Sequence, residues 1–203
     1  MDILSDAPVT VILIAINVIA SLYAFANRDF LEENTFHVGP VRAGQWSRML
    51  TSGFLHVNML HLALNMFVLF QFGPPIEGHL GALNYSLLYF ASLLGGNLWA
   101  LLDNWKKPAY RAVGASGAIS GVIASFCLFL PTATLWLLAV IPMPALLLLI
   151  LLLAGSAYLS TRPNTVIGHE AHFGGALAGA IVTLMIAPYA WGIFMEALTG
   201  VLG

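Results

Sequence analysis

The chain has 203 residues, of which 60% are hydrophobic and only 8% charged, and its formal net charge is −2. A water-soluble domain of this size needs far more charge on its surface, so the composition points to a membrane-embedded helical bundle. Seven Lys and Arg residues without a long basic run give no footprint for nucleic acid, and the single cysteine, Cys127, excludes a disulfide within the chain.

A bilayer core of about 30 Å takes about 20 apolar residues of helix. That length predicts a first span over residues 8–26; it has neither a basic leader nor a small-residue cleavage site, so it reads as retained. Residues 27–56 follow as a long loop that mixes Phe30, Phe36 and Trp46 with charges. Such a stretch suits a segment lying at the membrane interface or an ordinary solvated loop. Further spans are predicted over 57–75, 82–102 and 114–130. Pro142 and Pro144 interrupt the next apolar run by fixing φ and removing donors, so a membrane-dipping loop over 131–143 and a fifth span over 144–160 are expected. The sixth span covers 169–187, and the tail AWGIFMEALTGVLG suits a short amphipathic helix along the interface. The expected fold is all-α: a polytopic membrane protein with a single six-span domain over residues 1–203.

Every cation (Arg28, Arg42, Arg48, Lys106, Lys107, Arg111 and Arg162) follows an odd-numbered span and so falls on one side of the membrane. The positive-inside rule places that side in the cytoplasm.

Polar groups inside spans are expensive, and each needs a reason. In the second span Asn58, His61 and Asn65 recur at i, i+3 and i+7, on one helix face. In the sixth, His172 shares a face with Gly175 and Gly179, and the fourth offers a matching pair, Gly117 and Gly121. Ser116 sits at the start of that fourth span in Gly114-Ala115-Ser116-Gly117. Each feature alone has a bland explanation: close packing for the glycines, a bond back to the helix carbonyl for the serine, an interhelical hydrogen bond for the histidine. Their conjunction says more. Spans four and six run in the same direction if the fifth crosses once, so the glycine strips can bring Ser116 and His172 together at one membrane level.

That pair reads as nucleophilic catalysis, with neutral His172 taking the Ser116 proton. Ser116 also stands in the first turn of its helix, where unpaired amides can stabilise an oxyanion, and Asn65 and the His61 ring are further donors. No carboxylate fills a third place; Glu170, two residues before His172, faces elsewhere, so a serine–histidine dyad is expected.

These motifs resemble the rhomboid family of intramembrane serine proteases: GASG with Ser116, His61-Leu-Ala-Leu-Asn65, and Ala171-His172-Phe-Gly-Gly175-Ala-Leu-Ala-Gly179. Gln45-Trp46-Ser47-Arg48 is similar to the Trp-Arg element of that family's first loop, with one residue inserted. The resemblance implies Ser116 as nucleophile, His172 as general base and acid, and an oxyanion hole of His61, Asn65 and the Ser116 amide. It also implies supporting roles for His56, Glu77, Trp46 and Arg48, and helix packing by Gly114, Gly117, Gly121, Gly175 and Gly179. The substrates it implies are transmembrane helices of other proteins, cut near the external face after small residues, with no cofactor and no metal. For the bacterial six-span type it implies an inner-membrane enzyme whose site opens to the non-cytoplasmic side, against the charge bias.

Other chemistries fit less well. His169-Glu170-Ala171-His172 is one residue short of a zinc-protease H-E-x-x-H, and Asp2, Asp6, Asp29 and Asp103 all lie outside the span interiors. A metal transporter built on His56, His61, His169 and His172 lacks acidic partners at the midplane. A catalytically inactive rhomboid-like binder of membrane proteins would not need the serine and histidine.

Overall fold

The computed structural model describes residues 6–137, 141–160 and 168–202. Asp2, Arg162 and residues 138–140 of the expected dipping loop lie outside the described residues.

The first helix, α1 (Pro8–Ala26), starts on a proline, which lacks only an N–H that no helical partner would use. The expected loop over 27–56 is folded. It carries α2 (Arg28–Asn34), the two-residue strand β1 (Phe36–His37), α3 (Val38–Arg42), α4 (Arg48–Thr51) and a 3-10 turn at Ser52–Phe54. Asn27 caps α2 by accepting from the Phe30 amide at 3.0 Å. Phe36, Val38, Val41 and Met49 pack with Ala100, Leu101 and Ala112 into a small cluster of their own. The Arg48 guanidinium donates to the Glu32 and Thr35 carbonyls at 2.7 and 3.0 Å and to Gln45 Oε1 at 2.6 Å, gathering the loop about one side chain. Trp46, by contrast, is 56% exposed.

Next comes α5 (Met59–Asp103), a 45-residue helical run. Asn58 opens it as N-cap, accepting from the His61 amide at 2.8 Å, so this residue terminates the helix rather than extending a polar face. The run continues through Pro74 and Pro75 and breaks at Gly81, whose φ of +76° only glycine adopts readily. Strand β2 (Arg111–Ala112) pairs antiparallel with β1, with Phe36 opposite Ala112 and His37 opposite Arg111. An Arg111–Glu32 ion pair adds to that junction.

Helix α6 (Ser116–Phe129) is short and enclosed: every residue from Gly117 to Phe129 is buried. The expected dipping loop contains a hairpin of β3 (Thr134–Leu137) and β4 (Ile141–Pro144). It is followed by α7 (Ala145–Ser160), α8 (His169–Ile186) and α9 (Tyr189–Leu202). Helix α9 turns away from α8 by 111°. By length and composition α1 and α5 are each able to cross a bilayer, and α8 with α9 makes a third if the bent pair is one span. Helices α6 and α7 are apolar but shorter.

Glycine lets α5, α6 and α8 meet at the centre. A Cβ at Gly175 would stand 2.7 Å from the Gly117 carbonyl carbon, and one at Gly96 would stand 2.6 Å from the Ala171 carbonyl oxygen. One at Gly179 would collide with Gly121. Around this seam lies the main core, including Leu69, Phe72, Ile76, Tyr85, Leu88 and Tyr89 of α5 and Val122 of α6.

Candidate active site

Two helix starts converge. Ser116 is the first residue of α6, and His172 lies in the first turn of α8. Contact between Gly117 and Gly175 fixes the separation of the two helices one residue from Ser116 and three from His172. The result is a 2.7 Å hydrogen bond between Ser116 Oγ and His172 Nε2. On the other side of the ring, His172 Nδ1 lies 2.7 Å from Ser156 Oγ of α7. Ser156 did not stand out in the sequence. The available signal was a serine beside Gly155 in the apolar run ALLLLILLLAGSAYLS, one of two serines there, and it has the same appearance as a serine bonded to its own helix.

Ser116 Oγ and the His172 ring border a cavity of about 400 Å³ between the first half of α5, α6 and α7. His61, Asn65, Ser156 and His169 supply its remaining polar side chains apart from Ser120, and Val68, Ile119, Ile123 and Leu152 form much of the apolar wall. The Asn65 carboxamide donates one N–H to the His61 carbonyl at 2.9 Å, and the amide nitrogen carries a second. His61 turns its Nε2 edge toward Gly114, and its Nδ1 is buried without a partner among the described residues.

Gly114 differs from its expected role in helix packing. It precedes α6 with φ +138°, and a Cβ there would lie 3.1 Å from His61 Nε2 and 3.7 Å from Ser116 Oγ. The missing side chain keeps open the space between the serine hydroxyl and the His61 ring. Gly114→Ala is expected to lower any turnover by at least tenfold, through a strained backbone and a filled space, with little change in expression. Rate measurements on the purified variant check this.

The supporting residues occupy separate positions. His56 is fully buried behind His61, their rings 5.0 Å apart and edge to face. Ser21 donates to the Phe54 carbonyl at 3.1 Å, so His56 Nδ1–H donates to Ser21 Oγ at 2.9 Å. Burial, followed by the nearby charge of His61, pushes the His56 pKa down to about 3 and keeps its ring neutral. Glu77 accepts from the Val9 and Thr10 amides and the Thr10 hydroxyl, each at 2.8 Å, and thereby caps α1. Glu77, Trp46 and Arg48 do not line the cavity. Glu170 accepts from the Tyr110 hydroxyl at 2.6 Å, and the partner of His172 Nδ1 is Ser156, not Glu170.

The family model for the rhomboid domain matches residues 43–189. The chain belongs to the rhomboid family. This rhomboid is 30% identical over 195 residues to RHOMBOID-like protein 12, mitochondrial, of Arabidopsis thaliana, a match covering 88% of this chain and 58% of that protein. It is 32% identical over 141 residues to Rhomboid protein 1, mitochondrial, of Saccharomyces cerevisiae (66% and 40% covered). Identity to the putative rhomboid protease YdcA of Bacillus subtilis is 35% over 86 residues, 42% of each chain. The chain thus spans roughly two-fifths to three-fifths of the length of these curated relatives. Two of the three are mitochondrial by name, so these relatives do not support the expected bacterial plasma membrane. The rhomboid domain and the apolar helices identify an integral membrane protein.

Proposed function

We propose that this rhomboid is an intramembrane serine endopeptidase that cuts transmembrane helices of other proteins close to the membrane surface. The 2.7 Å contact of Ser116 Oγ with His172 Nε2, inside a cavity walled by apolar side chains, carries the reading. In the first step the Ser116 proton passes to His172 Nε2 as Oγ bonds to the scissile carbonyl carbon. Negative charge on the carbonyl oxygen meets the Ser116 amide at the α6 N-terminus, the His61 Nε2–H and the second Asn65 N–H. His172 then gives its proton to the leaving amine as the C–N bond breaks, and water, activated by the same imidazole, releases the acyl group. A substrate helix has to unwind first, because its carbonyls are otherwise held in hydrogen bonds.

In this reading helices α1, α6, α7 and α8 and the two halves of α5 make six crossings. The site opens on the side that carries residues 27–56, the non-cytoplasmic side by resemblance to the family. The Asn65→Ala variant is expected to lower kcat on the order of 10²-fold, the usual effect of losing one oxyanion donor. An unchanged rate would assign Asn65 to packing alone. A fluorophosphonate probe tests the whole reading: it should label the purified chain in detergent at Ser116 and nowhere else. A folded chain that leaves the probe unreacted is instead a non-cleaving binder of membrane proteins.

A further inference from the structure

We infer that Ser156 is the third member of the catalytic relay, a positioning residue that holds His172 in the tautomer able to accept the Ser116 proton. The inference rests on the proposed protease reading and adds a group that the two-residue dyad lacks. A buried imidazole has two nitrogens but, when neutral, only one proton. For His172 to act as base, Nε2 must be the bare nitrogen, which places the proton on Nδ1. In most triads a carboxylate accepts from that N–H and secures both the tautomer and the ring orientation. Here the atom at 2.7 Å from Nδ1 is Ser156 Oγ, on a side chain only 4% exposed.

A hydroxyl can fill this place because it both donates and accepts. A serine within a helix commonly turns its hydrogen to the carbonyl four residues back, leaving oxygen lone pairs free to accept. The Nδ1–H then has a partner before reaction and keeps it while the ring is an imidazolium, with no buried carboxylate charge required. The described titratable neighbours offer no substitute: Glu170 is occupied by Tyr110, and the His169 ring stands 5.7 Å from the His172 ring, centroid to centroid and perpendicular. Without Ser156, the buried Nδ1–H loses its acceptor. The ring then shares its population with the tautomer protonated on Nε2, which cannot take the serine proton.

The test compares Ser156→Ala, Ser156→Cys and Ser156→Thr with the unmodified chain and Ser116→Ala, in detergent, on a single-span reporter substrate. Cysteine preserves size but is a poor acceptor, whereas threonine retains the hydroxyl. For the alanine and cysteine variants we expect kcat to fall roughly five- to tenfold with KM unchanged, the effect of one neutral hydrogen bond. The threonine variant should recover most of the loss. If the alanine variant does not fold, the cysteine–threonine comparison decides alone. Wild-type kcat in the cysteine variant, or equal losses in the cysteine and threonine variants, overturns the relay while leaving the dyad intact. An inactive unmodified chain, or an active Ser116→Ala, removes the protease reading itself and the relay with it.

Discussion

Ser116→Ala will leave no cleavage of a transmembrane reporter above background, and His172→Ala will do the same. In serine proteases, loss of either member of the nucleophile–base pair lowers kcat on the order of 10⁶-fold, because the remaining partner has nothing to act on. On the proposed mechanism, any rate left by the oxyanion donors alone should fall below detection. Both substitutions remove atoms at the rim of an existing cavity, so expression and thermal midpoint should stay near those of the unmodified chain. Ser125→Ala serves as the control: this buried hydroxyl lies on the same helix but does not line the cavity. Measurable cleavage by purified Ser116→Ala would end the assignment of the nucleophile.

The second large effect comes from a residue with no chemistry of its own. Gly175→Val should lower activity by about 10²-fold and also destabilise the fold by about 1–3 kcal/mol, the range for overpacking a close interface. A Cβ at this position runs into the Gly117 peptide, and there is no flexible side chain that can yield. Helices α6 and α8 must therefore separate. Gly117 adjoins Ser116 and Gly175 is one turn beyond His172, so the separation is transmitted to the 2.7 Å hydrogen bond. A shift of about 1 Å in reacting groups can lower rate about 10²-fold. The measurements are the midpoint of unfolding in mixed detergent and the rate of probe labelling. A valine variant with normal stability and normal labelling would mean that the helices are not held by this seam.

Much of this organisation was readable in the residues themselves. Apolar length and the two prolines at 142 and 144 match the starts and ends of most long helices, but the second helical stretch runs past its expected end at residue 75, through Pro74 and Pro75, to the break at Gly81. Ser116 and His172 were legible because each stands out against an apolar background and is flanked by glycine. Long-range pairing was not legible. The fold of residues 27–56 depends on Phe36 meeting Ala112 and on Arg48 reaching the Glu32 carbonyl, partners that no local pattern announces. Gly114 illustrates a different limit: in sequence it looks like Gly117 and Gly121, and only its positive φ separates a turn from a packing surface. Ser156 was hidden for the opposite reason, since a serine in a leucine-rich helix ordinarily bonds to its own backbone and is silent.

The complete enclosure of α6 bears on how the protein senses its surroundings. Helices that face lipid tilt or shift when acyl chains lengthen or shorten, to relieve hydrophobic mismatch. With Gly117 through Phe129 buried among neighbouring helices, α6 has almost no side-chain contact with acyl chains. The depth of Ser116 is set by its protein neighbours, and a change in bilayer thickness reaches it only through the outer helices that surround it.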